Sequence, residues 1–329
     1  MIGSHKIPEH HLKQFATGVT AKSAGLVWVY EKGRVPEQRS PAIEQKENGY
    51  FAKTLKSGDV DESMESLLAN DIEGPWNSGL FRSLLNECFV PSYDERKKMA
   101  RYIAVLFGRS EARQRASNKM QKEIAAAAGK LLERRDLIRN VAAAISLSAR
   151  GPIPVGVVVQ YFKTYSQPTR ASLKNDFLNT LLPSAEVVAD ILVQKQWGIL
   201  KTPRGCEFVF SDNPVMTRIP GPSGEHLLMW GFSYPKQQVF VPLNPHRCLV
   251  IGPREIRRTA TSAEIDQLNT DLILFMERRV YSRGFSDKIA NWVEEFGGAT
   301  PYAEAISIPN FNLTPESLAE HFVNFALSN

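Results

Sequence analysis

Histidine, aspartate and asparagine side chains at a few positions have the type and setting for chemistry. His5 opens the run His5-Lys6-Ile7-Pro8-Glu9-His10-His11-Leu12-Lys13-Gln14-Phe15. An imidazole titrates near neutral pH, so it suits a general base or a metal ligand. In an opening segment a histidine also serves as a hydrogen-bonding anchor, and both roles stand at His5. Pro8, Leu12 and Phe15 give this segment a way to dock, which predicts an ordered His5 lying near Asp212. His10 and His11 are adjacent, so on a helix their side chains diverge by about 100° and are not expected to hold one metal together. Asp212 lies in Ser211-Asp212-Asn213-Pro214-Val215, directly after the strand-like run Cys206 to Phe210. A carboxylate just past a strand end suits catalysis and suits a turn equally, because Pro214 steers Asn213 away from the helical region and Asp bonds readily to nearby backbone. Asn269 sits beside Leu268 on the apolar stripe of a late helix. An amide facing inward there needs partners, so it belongs to a site or to a structural network.

The chain that must position these groups has 329 residues, enough for one large domain or two modest ones. Its 43% hydrophobic and 23% charged content is that of a globular protein. A net charge of +5 and a pI near 9.0 lean toward an anionic partner such as nucleic acid, a nucleotide or a phosphorylated substrate. Cys88, Cys206 and Cys248 are odd in number and far apart, which excludes a zinc ribbon or a disulfide framework and predicts reduced thiols. There is no signal-peptide pattern, and no apolar run reaches the ~18 residues of a membrane span. The longest, Ile153 to Phe162, is short and flanked by proline. A cytoplasmic protein without a membrane partner is expected. The sequence leaves its oligomeric state open.

Elements follow from periodicity and punctuation. Gly25 to Tyr30 reads as a strand, and Gly33 to Asn48 as a polar loop. Asp61 to Cys88 reads as helix broken at Gly74-Pro75. Ser92-Tyr93-Asp94-Glu95 is a capping box ahead of the stripe Met99, Tyr102, Ile103, Leu106 and Phe107. Ser110 to Ala149 is helical, alanine-rich and basic. Between Arg96 and Arg150 there are fourteen Lys and Arg against four Asp and Glu. This stretch is either a solvated helix face or an electrostatic footprint for phosphates. It lacks interleaved aromatic residues between Phe107 and Tyr161, which single-strand binders normally use. Arg150-Gly151-Pro152 marks the expected division into an N-terminal part, 1–150, mainly helical with basic helices, and a C-terminal part, 151–329, with helices and a small sheet, the two expected to form one integrated domain. Helices are expected over Thr169 to Leu182 and Ser184 to Gln196. Short β runs follow at Trp197 to Leu200, Cys206 to Phe210, Val239 to Val241 and Cys248 to Ile251. A second capping box, Thr261 to Glu264, opens a helix expected to run to Tyr281. Asp287 to Phe296 and Thr314 to Leu327 complete the set. Trp28, Trp76, Trp197 and Trp230 are expected in the core. The predicted class is α+β, mainly helical, with a small antiparallel β-rich subdomain in the C-terminal half.

The His-x-x-Pro opening, Ser211-Asp212-Asn213-Pro214-Val215, Val241-Pro242-Leu243-Asn244-Pro245, Asn269 and Arg279-Val280-Tyr281-Ser282 together resemble the bacterial family known as domain of unknown function 4238. The resemblance covers nearly the whole chain. It adds Glu73, at a position where the family commonly carries Glu, and Arg109, which matches a family Arg behind a helix. Many relatives place Gln three residues before that Arg, where this chain has Leu106. The resemblance implies a site of His5, Glu73, Arg109, Asp212 and Asn269. One imidazole, two carboxylates, a guanidinium and an amide have the chemistry for metal-assisted phosphodiester hydrolysis. Glu73 and Asp212 would hold Mg or Mn, His5 would move a proton and Arg109 would offset phosphate charge. The sequence-based expectation is therefore a phosphodiesterase or nuclease. Its rival is a non-catalytic nucleic-acid-binding or protein-interaction module that uses the basic helices. No Walker A, G-x-G-x-x-G, H-E-x-x-H or G-x-S-x-G motif is present.

Overall fold

The computed structural model describes residues 3–20, 22–86, 91–149, 151–220, 226–228, 232–298 and 314–328. Cys88, Arg150 and Trp230 lie outside these. The described residues are 52% helical and 20% strand, with antiparallel sheets, so this is an α+β protein. Its contacts define two units: Met1–Gln114 with Leu178–Ala305, and Arg115–Phe177 with Ile306–Asn329.

The first unit contains two main sheets. One has six strands in the order 226–228, 216–220, 238–244, 247–252, 196–201, 257–259, antiparallel except for the last pair. The parallel pairing of Arg257–Thr259 brings the Ile256 backbone against Gly198, where an added Cβ would stand 2.1 Å from the Ile256 carbonyl oxygen. The other sheet draws on both ends of the sequence. Thr17–Thr20 pairs with Ser23–Glu31, which pairs with Arg279–Ser282, which in turn pairs with Phe210–Ser211. Glu37–Arg39 also pairs with Ser23–Glu31, and Gly3–His5 pairs with Lys46–Asn48. The expected loop from 33 to 48 thus contributes two short strands. The segment Arg279–Ser282, expected as a helix end, is a strand, and the helix stops at Phe275. Val280 and Tyr281 decide this, because a β-branched and an aromatic side chain fit a pleated, two-sided position between Val29–Tyr30 and Phe210–Ser211.

The helix Ser262–Phe275 starts at the expected capping box, with Thr261 and Glu264 each bonding the other's backbone. Its stripe of Ile265, Leu268, Leu272 and Phe275 packs with Leu200, Phe240, Val250 and Val280 into one core. A second core binds the opening segment: Ile7, Leu12 and Phe15 meet Val27, Val29, Phe210 and Tyr281. Leu12 and Phe15 are fully buried. Burial on the order of 1.5–3 kcal/mol for each such side chain holds the segment down.

Two expected helix breaks are absent. Gly74-Pro75 lies between π-helical runs, Leu68–Glu73 and Trp76–Leu80, with a kink at Gly79. Pro183 lies inside the single helix Arg170–Val193. Proline removes one backbone bond there, but the buried stripe Leu178, Leu181, Ala185, Ala189 and Leu192 continues through it, and side-chain burial outweighs that local cost. Trp76 and Trp197 are buried, whereas Trp28 is half-buried against Phe285.

The second unit is helical. Its core joins Ala127, Ala128 and Leu131 to Ile138, Val141, Val158, Phe162 and Leu318. The apolar run after Ile153 forms the helix Val155–Tyr165.

Candidate functional site

Arg109 caps the helix Tyr93–Gly108 and is almost fully buried. A buried guanidinium must use its donors, and this one does. Its Nη1 donates to Glu73 Oε1 at 2.7 Å, Nε to the Lys6 carbonyl at 2.7 Å and Nη2 to the His5 carbonyl at 3.2 Å. Arg109 therefore ties Glu73 to the opening segment. Leu106, where relatives carry Gln, is buried in the apolar stripe, and backbone carbonyls satisfy the arginine. The His5 ring donates from Nδ1 to the Glu44 carbonyl at 3.3 Å, and its Nε2 faces Glu9 at 3.9 Å.

Asp212 follows the strand Phe210–Ser211 and closes the turn leading into Arg279–Ser282. Its Oδ1 accepts from the Glu277 N–H at 2.8 Å, and its Oδ2 accepts from those of Arg278 and Arg279 at 2.9 and 3.0 Å. Its own N–H donates to the Arg279 carbonyl at 3.1 Å. Burial pushes its carboxyl up to about 7, against the downward pull of the three N–H groups. Asn269 has the structural partners that an inward-facing amide requires. Its Oδ1 accepts from Val209 N–H at 3.0 Å and its Nδ2 donates to the Glu207 carbonyl at 2.9 Å, so it fixes the run leading to Asp212.

The five expected residues thus fall into three places. His5, Glu73 and Arg109 are joined directly. Asp212 lines a cleft of about 500 Å³ together with Lys6, Arg39, Glu44 and Arg279. Asn269 acts on the backbone behind it. The cleft is held by ion pairs. Arg279 bonds Glu44 and Glu31, Arg39 bonds Glu44 at 3.3 Å, and Lys6 bonds Glu47 at 2.7 Å and also Glu111. Glu44 is buried and also accepts from the Tyr281 hydroxyl at 3.2 Å. Sequence reasoning missed Glu44, because it sits in a polar stretch without periodicity. Both Asp212 oxygens accept backbone N–H groups, and Glu73 Oε1 accepts from Arg109. Among the described residues, no group of three or more His, Cys, Asp or Glu is arranged to hold a metal ion.

His10 and His11, expected to diverge, instead turn their rings to within 24° of one plane with centroids 6.5 Å apart, because both reach one hydroxyl. Tyr102 Oη lies 3.2 Å from His10 Nε2 and 2.9 Å from His11 Nδ1. The Tyr102 ring stacks on Trp76 at 4.1 Å. Burial, with the charges of His11, Arg109 and Lys13, pulls His10 down to about 2. Burial likewise pulls His11 down to about 4.

The second unit carries the basic surface. The first unit holds twenty-nine Lys and Arg against twenty-nine Asp and Glu. The helical unit holds eleven against six, and so has the whole net charge of +5. Three of the basic residues before it form ion pairs: Lys97 with Asp190, Arg101 with Glu186 and Arg109 with Glu73. On the helix Glu111–Leu131, Arg115, Lys119 and Lys122 are exposed at helical spacing and line one shallow groove. Tyr165 donates to Gln121 at 2.9 Å, and Tyr161, 52% exposed, stacks on Tyr165. Aromatic residues absent from the basic sequence are thus supplied by the next helix but one.

Fold and site define an α+β protein with a buried arginine hub under its opening segment and a separate basic helical unit. The sequence model of the family described as Protein of unknown function (DUF4238) matches residues 4–286, and the chain belongs to that family. No curated protein and no solved structure matches the chain. No helix among the described residues is long and apolar enough to cross a membrane.

Proposed function

We propose that this chain binds single-stranded nucleic acid through its helical unit. The observation that carries the reading is the placement of all the net positive charge on that unit, beside a half-exposed tyrosine. Phosphates release counterions to lysine and arginine, and aromatic faces accept bases of any sequence. Arg115, Lys119 and Lys122 supply the first interaction, and Tyr161 supplies the second. Metal-assisted phosphodiester hydrolysis is not part of the proposal, because Glu73 and Asp212 are engaged elsewhere.

The test is fluorescence anisotropy with labelled single-stranded and duplex oligonucleotides on the full chain. Lys119→Glu with Lys122→Glu should weaken binding of both at least tenfold. Tyr161→Ala should weaken single-strand binding by about 1–3 kcal/mol and leave the duplex unaffected. Unchanged affinity in the charge-reversed protein would remove the helical unit from the account.

A further inference from the structure

Three neighbouring strands of the six-stranded sheet, Gln196–Lys201, Arg247–Gly252 and Arg257–Thr259, gather basic side chains on one face. Arg247 stands directly opposite Lys201, and one row further in Ile199 stands between Leu249 and Arg257. Side chains alternate along a strand, so Lys201, Arg247 and Arg257 share a face with Ile199. The alternate positions Leu200, Cys248 and Val250 fill the core on the other face. With Leu84 and Leu85, the face bearing the cations bounds a pocket of about 250 Å³, whose wall also includes Arg258. Among the described residues, no Asp or Glu lines it. Glu255 bonds Arg257 and Glu264 bonds Arg258, and neither carboxylate belongs to the wall. The side chain of Arg247 is half-buried and has no hydrogen-bond or ion-pair partner among the described residues. Like charges directly opposite on antiparallel strands destabilise the pair. Arg247 and Lys201 therefore repel each other, and an anion bridging them relieves the repulsion.

We infer that this pocket binds a small phosphomonoester. Arg247, Lys201 and Arg257 take the phosphate, and the organic group lies against Leu84, Leu85 and Ile199. The planar fork of arginine meets phosphate oxygens in pairs, whereas the lysine ammonium acts as a point charge. Leu84 and Ile199 are buried and Leu85 is half-buried, so the apolar side of the pocket is already packed into place. Pockets for drug-sized ligands run from about 300 Å³ upward, so a pocket of about 250 Å³ suits a smaller molecule. The site lies wholly within the first unit and is separate from the nucleic-acid reading of the helical one.

Isothermal titration calorimetry on the full chain tests this with phenyl phosphate, inorganic phosphate and phenol, all at one ionic strength set with sodium chloride so that screening is constant. Phenyl phosphate should bind saturably at one site, roughly tenfold tighter than inorganic phosphate because part of its ring is buried, and phenol should not bind measurably. Arg247→Gln should weaken phenyl phosphate at least about tenfold by removing a charge-assisted contact. Arg247→Lys keeps the charge and loses the fork, so it should weaken binding less. Leu85→Ala should reduce the preference for phenyl phosphate over inorganic phosphate. Thermal melts without ligand supply a readout that a structural arginine would move differently. Arg247→Gln should melt at or above the unsubstituted chain, because its opposition to Lys201 is gone. Absence of saturable phenyl phosphate binding, equal affinity for the two phosphates, undiminished affinity in Arg247→Gln, or an Arg247→Gln chain that melts well below the unsubstituted one would overturn the proposal.

Discussion

Asp212 accepts three backbone N–H groups with two oxygens, and this sets what a substitution does. Asparagine is isosteric but turns one acceptor into an amide donor. Asp212→Asn should therefore leave one of the Glu277, Arg278 and Arg279 donors facing another donor, at a cost of about 1–3 kcal/mol. Asp212→Ala should cost at least as much. A simple turn residue would accept asparagine without loss, so chemical denaturation of both variants separates a three-amide cap from an ordinary turn. His11 gives a prediction about pH. Its ordinary value of 6.5 falls to about 4 in the fold. Between those values the unfolded chain binds a proton that the folded chain does not. Stability from this group is thus complete above about 6.5 and is lost progressively as pH falls toward about 4, the sign expected for a histidine buried neutral. Thermal melts across that window should show the midpoint falling with pH. The fall should be smaller in His11→Gln, since glutamine does not titrate. An equal fall in both proteins would assign the effect elsewhere.

At the scale of elements, patterning that repeats was legible and long-range pairing was not. Both capping boxes, the strand Ser23–Glu31 and the stripe of Ser262–Phe275 follow from local rules. The strand Arg279–Ser282 did not, because four residues carry too little period and their β state comes from partners far away in sequence, Ser23–Glu31 and Phe210–Ser211. Pro183 and Gly74-Pro75 read as breaks because local propensity ignores the burial that carries a helix past them. Asn269 was legible as an amide in need of partners, and the backbone it bonds was not. Asn269→Leu should orphan Val209 N–H and the Glu207 carbonyl, costing about 1–3 kcal/mol for each buried group. A loss below about 0.5 kcal/mol, as at an ordinary surface position, would mean those groups find other partners. Gly198→Ala tests the parallel edge of the six-stranded sheet. The new methyl would meet Ile256 backbone, so the Arg257–Thr259 strand should detach and its amides should lose hydrogen-exchange protection. Retained protection would show that the edge strand can move aside without unpairing.

At the scale of the molecule, the sequence's mild positive charge resolves into a neutral α+β unit and a basic helical one. Which arginines belong to the surface was not legible, since ion pairs depend on distant acids. Arg134 shows this: it pairs with Asp136 at 3.0 Å and with Glu316 on the last described helix. Reversing it would disturb that packing and would not report on a ligand alone, whereas Lys119 and Lys122 report on the groove. The central claim is single-strand binding by this unit, and its salt dependence tests it most directly. Three phosphate contacts, from Arg115, Lys119 and Lys122, predict that log K falls with log salt at a slope of about −2 for a single-stranded oligonucleotide. The Lys119→Glu, Lys122→Glu protein should show a slope close to zero. A salt-independent affinity in the unsubstituted chain, or no binding at low salt, would contradict the account.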